Sequence, residues 1–96
     1  MKIVISGDGQ IAYQLAQVLQ RQHDVVIIED DPDEADRLDR LDAHLLRGNC
    51  ADPATLEEAG IARADSFIAC READEMNIIS CLTAKRLGCR HTTCFV

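Results

Sequence analysis

Residues 3–16, IVISGDGQIAYQLA, place two glycines one residue apart between an apolar run and a stretch with helical spacing. The apolar run at residues 2–6 is typical of a buried strand because β-branched side chains dominate it. Beyond the glycines, apolar residues recur at helical spacing over residues 10–21 and predict one inward stripe. That stripe contains Ile11, Leu15, Val18 and Leu19, with Ala12 and Ala16 beside them. A strand therefore leads into a helix through a glycine turn.

The rest of the chain repeats this alternation of strand and helix. Strands are predicted at residues 25–28, 43–47, 66–70 and 92–96. Helices are expected to begin at Pro32 and Pro53, each of which follows an aspartate. A further helix is expected over residues 74–87, with an inward face of Ile78, Ile79, Leu82 and Leu87.

Continuous apolar strands that alternate with helices predict the α/β class, with a doubly wound parallel sheet of the Rossmann type. Right-handed crossovers favour the strand order 3-2-1-4-5. A sixth strand of the full dinucleotide-binding arrangement has no counterpart in the 96 residues. We therefore expect one domain, residues 1–96, that is incomplete at its C-terminal end.

Composition argues against several classes of function. A net charge of −7 repels a phosphate backbone, and no basic stripe with interleaved aromatic residues is present, so nucleic acid is not an expected partner. No apolar run approaches the roughly 20 residues of a membrane span, and the start does not resemble a signal peptide. These features predict a cytoplasmic protein without direct insertion into a membrane.

The five cysteines form no C-x-x-C pair, which argues against a zinc knuckle or a closed set of disulfides. We expect reduced and buried thiols. The alternative is a redox-sensing cysteine, which requires an exposed thiolate near positive charge. Cys70 and Cys89 are the candidates because each precedes an arginine.

The stretch Gly7-Asp8-Gly9-Gln10-Ile11-Ala12 matches the fingerprint G-x-G-x-x-G/A, in the required position between a strand and a helix. In that motif the first glycine permits a tight turn, and the second admits a pyrophosphate close to the backbone. The small sixth residue allows the helix to pack closely on the strand. Free N–H groups and the dipole at the helix start favour the anion. The alternative is a purely structural turn, and the Asp8 carboxylate opposes an anion unless it points to solvent.

An acid is expected about 20 residues after the glycines, at the end of the second strand. Glu29 occupies that position, and Asp30 is the second candidate. Such a carboxylate accepts hydrogen bonds from an adenosine ribose and repels a 2′-phosphate, which favours NAD over NADP. The alternative is a solvated acidic turn. Arg71, just past the fourth strand, is either a phosphate clamp that offsets Asp8 or a solvent-facing side chain.

The chain resembles the N-terminal nucleotide-binding domain of TrkA-type potassium-transport regulators, also called the RCK or KTN domain. The resemblance covers essentially the whole chain. It rests on MKIVISGDGQIAYQLA at 1–16, DVVIIEDD at 24–31, RGNCADPATLEEAGIARAD at 47–65 and ACREADEMN at 69–77. It implies a domain that binds NAD or NADH, or ADP and ATP in related branches. It also implies control of potassium movement through a membrane-embedded transporter or channel subunit, without chemical change of the ligand.

The same resemblance assigns residues to parts of the ligand. Gly7, Gly9, Gln10 and Ile11 correspond to the phosphate-binding positions, Glu29 to the ribose position, and Asn49 with Cys50 to the adenine side. The family usually has Gly-Asp-Ala at 48–50 and threonine at position 71, where this chain has Gly48-Asn49-Cys50 and Arg71. The preferred nucleotide depends on these differences. The family's subunit pairing implies a homo-oligomer in the full-length protein, and an exposed fifth strand is a candidate edge for self-association.

Two other functions remain open on the sequence. The chain resembles the cofactor half of an NAD-dependent dehydrogenase in its fingerprint, but such an enzyme needs a positioned acid or base. His23, His44 and His91 are scattered along the chain and form no evident catalytic set. A thiol-responsive interaction domain is the third possibility.

Overall fold

A computed structural model describes residues 1–96. In chain order its elements are β1 (Lys2–Gly7), α1 (Gly9–Leu19), β2 (Asp24–Glu29), α2 (Pro32–Leu38), β3 (His44–Arg47), α3 (Pro53–Glu58), a 3-10 turn (Ile61–Arg63), β4 (Ser66–Cys70), α4 (Asp74–Arg86) and β5 (His91–Cys94). The predicted alternation of strands and helices is confirmed. Most bounds differ from the predicted ones by one or two residues.

The five strands form one parallel sheet in the order β3-β2-β1-β4-β5, which confirms the predicted topology. Val4 of the central strand β1 pairs with Val26 of β2 and with Phe67 of β4. Since all strands run the same way, the carboxyl ends of β1, β2 and β4 meet at one edge. None of the helices combines the length and the apolar character needed to cross a bilayer.

Aspartates cap the two proline-initiated helices. The Asp31 carboxylate accepts a hydrogen bond from Asp33 N at 2.9 Å, and the Asp52 carboxylate accepts one from Ala54 N at 3.0 Å. Proline fits the first turn because its missing N–H has no partner in the helix. The predicted starts of α2 and α3 are therefore correct.

Two apolar cores lie on opposite faces of the sheet because side chains alternate along each strand. Val4 and Phe67 belong to the core that contacts α3 and α4. Ile5 and Ile27 belong to the core that contacts α1 and α2. Both faces of the central strands are thus covered.

The inward face of α1 differs from the predicted one. Ala12 and Ala16 are fully buried, whereas Ile11 and Val18 are 47% and 65% exposed. Gly7 has no side chain and lets α1 approach β1 closely, and this close approach leaves no room for larger side chains at the contact. Leu15 and Leu19 are partly buried at the margin of the core.

The inward face of α4 also differs from the predicted one. Its buried residues recur at helical spacing and are small or polar: Asn77, Ser80, Cys81 and Ala84. The expected residues Ile78, Ile79 and Leu82 are exposed, and only Leu87 packs against the core. The helix lies close over β4 and β5 because its contact face is small, and its large apolar residues therefore point away from the sheet.

Candidate functional site

A cleft of about 460 Å³ opens at the carboxyl ends of the strands, where β1 leads into α1. It lies where the strand order reverses between β1 and β4, which is the usual ligand position in doubly wound sheets. Its lining is mostly polar: Asp8, Gly9, Gln10, Ile11, Asp31, Glu34, Cys70, Arg71 and Glu72.

The two glycines of the turn are required for different physical reasons. Gly9 has a φ of +67°, and a Cβ added there meets no atom within 4 Å, so this position opens onto free space. Gly7 has no positive φ, but a Cβ there would lie 2.5 Å from Cys70 Sγ and 2.9 Å from Ala12 Cβ. Gly9 therefore leaves room beside the cleft, whereas Gly7 and Ala12 let α1 approach the sheet.

Glu29 ends β2 and is fully buried. Its Oε2 atom accepts hydrogen bonds from Asp30 N at 2.9 Å and from Asp31 N at 3.4 Å. Its Oε1 atom is buried and has no hydrogen-bond partner. An unpartnered buried carboxylate oxygen is costly, so this atom keeps an unused acceptor, although Glu29 is not among the residues that line the cleft.

Burial raises the pKa of Glu29 from 4.5 to about 7. The N–H groups of Asp30 and Asp31 and the Arg71 guanidinium act in the opposite direction, since each stabilises the charged form. A carboxyl group with such a pKa changes its charge near neutral pH. Donors to Oε1 would stabilise the carboxylate further.

Arg71 follows β4 and faces three carboxylates that lie after β1 and at the end of β2. Its guanidinium lies 3.3 Å from Asp30 Oδ1, 3.6 Å from Glu29 Oε2 and 3.9 Å from Asp8 Oδ2. Only 17% of its side chain is exposed, so the alternative of a solvent-facing arginine is wrong. Burial lowers the pKa of Arg71, but the neighbouring Cys50, Asp30 and Glu29 more than offset this, and the pKa lies above its ordinary value.

The backbone of Arg71 is held by Asn77, a buried residue of α4. Asn77 Oδ1 accepts a hydrogen bond from Arg71 N at 2.8 Å, and Asn77 Nδ2 donates to Arg71 O at 2.9 Å. The same Nδ2 donates to Phe95 O at 2.9 Å. One amide thus fixes the start of the loop that carries the guanidinium and the segment that follows β5.

Glu34 of α2 reaches the glycine turn, a contact that the sequence analysis missed. Its Oε2 atom accepts a hydrogen bond from Gly9 N at 3.0 Å and lies 3.6 Å from Arg37 Nη1. A signal was present, because a helix that begins just after β2 places its first turn at the same sheet edge as the glycine turn. From the sequence alone, the acidic residues there indicate only a solvated acidic turn.

The predicted binding residues are not all in the cleft. Gln10 and Ile11 line it, and Asp30 reaches it through Arg71. The Asn49 side chain accepts a hydrogen bond from Ala51 N at 2.9 Å, in a turn outside the cleft lining. The Cys50 side chain is fully buried in the core.

The cysteine thiols are mostly buried, as expected. Cys50, Cys70, Cys81 and Cys89 are buried and Cys94 is partly exposed. Burial, aided by the Asp8 charge, raises the pKa of Cys70 to about 11, and burial raises the pKa of Cys89. The neighbouring arginines therefore do not produce a thiolate at either redox candidate, because the thiol form is favoured.

The family and the fold of the chain are shown by comparisons with known proteins. The sequence model of the TrkA-N domain matches residues 3–95. This chain belongs to the TrkA-N family. The resemblance stated from the motifs is thereby confirmed.

Among curated relatives of this TrkA-N domain is a Trk system potassium uptake protein TrkA homolog from Archaeoglobus fulgidus. It is 43% identical over 91 residues, which are 95% of this chain and 21% of that protein. The chain thus spans about a fifth of the length of that relative.

Solved structures of the GsuK channel and of its RCK domain have the same fold. The GsuK channel bound to NAD superposes with a TM-score of 0.78 at 30% identity, over 91% of this chain and 16% of that one. The crystal structure of the GsuK RCK domain gives a TM-score of 0.77 at 29% identity, over 91% of this chain and 19% of that one. The RCK-type, Rossmann-like fold is therefore confirmed.

Proposed function

We propose that this chain is a regulatory nucleotide-binding domain that takes NAD or NADH in the cleft. Glu29 Oε1 is the observation that carries the proposal, because it is a buried carboxylate oxygen without a donor at the ribose position. Gly9 leaves open space beside the cleft, where a diphosphate can approach backbone N–H groups. Adenosine ribose hydroxyls are donors of the right kind for Oε1. NAD in the GsuK channel supports the same ligand here.

The charge of the cleft selects among nucleotides. Four carboxylates, on Asp8, Asp31, Glu34 and Glu72, line it with a single guanidinium. Each further phosphate charge on a ligand is therefore unfavourable. We infer the affinity order NAD and NADH, then ADP, then ATP. NADP is disfavoured because its 2′-phosphate would lie beside Glu29.

Binding, rather than chemical change of the ligand, is the function that the placement of side chains favours. His44 and His91 begin β3 and β5, and His23 immediately precedes β2. All three lie at the amino-terminal edge of the parallel sheet, opposite the cleft. None is placed as an acid or base beside a nicotinamide, so the dehydrogenase alternative gains no support from them.

The proposed regulatory target is a membrane-embedded potassium transporter or channel subunit that the domain meets on its cytoplasmic side. The names of the relatives, a Trk system potassium uptake protein and the GsuK channel, support this target. Nucleotide shifts the state of such an assembly only if it binds two arrangements with different affinity. The exposed Ile78, Ile79 and Leu82 on α4 favour a homo-oligomer.

Isothermal titration with NAD, NADH, NADP, ADP and ATP tests the binding proposal. We expect saturable binding in the inferred order, and a loss of about tenfold or more in Gly9→Ala, whose added methyl group enters the open space beside the cleft. Asp33→Asn is the matched control, since Asp33 is exposed and does not line the cleft. Absence of binding by all five nucleotides, or equal binding by Gly9→Ala, would contradict the proposal.

A further inference from the structure

We propose that the Glu34 carboxylate competes with the diphosphate of a bound nucleotide for the Gly9 N–H group. This inference rests on the proposed nucleotide function and adds an affinity-determining residue to the site. Its basis is the hydrogen bond from Gly9 N to Glu34 Oε2, at 3.0 Å, across 25 residues of sequence.

The position of Glu34 in its own helix makes this contact unusual. Glu34 is the third residue of α2, counted from Pro32, after the capping residue Asp31. A glutamate there commonly accepts a hydrogen bond from the N–H of the capping residue. Here Asp31 N donates to Glu29 Oε2 instead, at 3.4 Å, and Glu34 reaches to the glycine turn. The carboxylate therefore accepts a hydrogen bond from the glycine turn and not from the start of its own helix.

The contacted N–H group is one of those at the phosphate-binding positions of the glycine turn. Gly9 is the first residue of α1, a helix of 11 residues, and its N–H has no partner within the helix. A carboxylate oxygen is an anionic acceptor like a phosphate oxygen, so it satisfies this donor in the absence of ligand. Asp8 caps α1 without a side-chain hydrogen bond, so it does not replace Glu34.

Glu34 can leave this position at limited cost. Its side chain is 29% exposed, and Arg37 Nη1 lies 3.6 Å from the same Oε2 atom. Arg37 therefore retains a charge partner for Glu34 after the Gly9 contact breaks. A ligand must break that contact first, so the apparent dissociation constant is the intrinsic constant divided by the fraction of molecules in which the contact is open.

The test compares Glu34→Gln with Asp33→Asn in titrations of NAD and ADP. Glu34→Gln keeps the size of the side chain and removes its charge, and Asp33→Asn removes the same charge from an exposed neighbour that does not line the cleft. We expect Glu34→Gln to bind NAD about tenfold more tightly than the wild type, which corresponds to about 1.4 kcal/mol. Asp33→Asn is expected to bind within about twofold of the wild type.

A measurement without ligand checks the contact itself. The Gly9 amide resonance of the ligand-free protein is expected to shift in Glu34→Gln and to stay unchanged in Asp33→Asn. A Gly9 resonance that is the same in all three proteins would overturn the proposal.

The outcomes separate this inference from the proposed function. If the wild type binds NAD and Glu34→Gln binds equally, the competition is refuted and the nucleotide function stands. An equal gain in both variants refutes it also, since the effect is then a general one of charge. Binding by Glu34→Gln alone supports it, and absence of binding by every variant refutes both.

Discussion

The buried Glu29 predicts that the stability of the domain falls as the pH rises toward neutrality. In the folded protein its pKa is about 7, and in the unfolded chain it returns to about 4.5. The folded state therefore binds the proton more tightly, and its stabilising effect is complete below about pH 4.5 and is lost as the pH rises through about 7. At about 1.36 kcal/mol for each unit of pKa, the loss amounts to about 3 kcal/mol.

Glu29→Gln removes this contribution because an amide does not titrate. Urea unfolding of both proteins, followed by circular dichroism between about pH 4 and about pH 8, gives the free energy of unfolding at each pH. We expect the difference between wild type and Glu29→Gln to fall by about 3 kcal/mol across this range. Asp33→Asn controls for the loss of one acidic residue and should keep the slope of the wild type. A difference that does not change with pH would refute the burial argument.

Ligand binding should depend on the same group with the opposite sign. Ribose hydroxyls that donate to Oε1 favour the charged carboxylate, so NAD affinity should rise with pH up to about 7, by at most about tenfold per pH unit. The rise should be absent in Glu29→Gln. Titrations of NAD in the same buffers measure it, and an affinity that falls over this range would contradict a donor at Oε1.

Three further predictions concern other parts of the site. Asn77→Ala should lower the free energy of unfolding by about 3 kcal/mol, because three partly buried hydrogen bonds lose their partner, and urea unfolding at fixed pH measures it. Gly7→Ala should cost about 1–3 kcal/mol by overpacking against Cys70 Sγ, so a wild-type melting temperature would argue against that close contact. Iodoacetamide should modify Cys94 well before Cys70 in the native protein, as judged by peptide mass spectrometry, since only Cys94 is partly exposed; equal rates would disprove this.

The sheet and the edge that carries the cleft were predictable because their signals are local. Apolar runs of strand length alternate with helices, and this alternation restricts the topology to few choices. The end of β2 follows directly from the apolar run 25–28, so Glu29 could be placed at the carboxyl edge of the sheet. Aspartate followed by proline placed the starts of α2 and α3 for the same reason.

The inward faces of α1 and α4 were not predictable from hydrophobicity, because the separation between helix and sheet decides them. Ala16 and Ser80 are fully buried where the helices approach closely, and the larger Val18 and Leu82 do not fit there. The helical spacing of apolar residues does not indicate how closely a helix packs on the sheet. It favours the larger apolar stripe, which is the exposed one here.

The contact between Glu34 and Gly9 was not predictable from the sequence, for a different reason. It joins residues 25 positions apart, and it depends on a glutamate that leaves its usual partner at the helix start. At a helix start, the expected partner of such a glutamate is the N–H of the capping residue. The sequence therefore gives no indication of a second partner in the glycine turn. Only the packing of α2 beside the glycine turn makes the second partner available.

The Asn77 amide also restricts how the domain can deform. Its hydrogen bonds to Arg71 and to Phe95 share one rigid plane of atoms, so the two backbone segments are displaced together or the bonds break. A rotation of the guanidinium by its own side-chain torsions leaves this plane untouched. A displacement of the Arg71 main chain does move this plane. The segment at Phe95, which follows β5, would then move in the same direction.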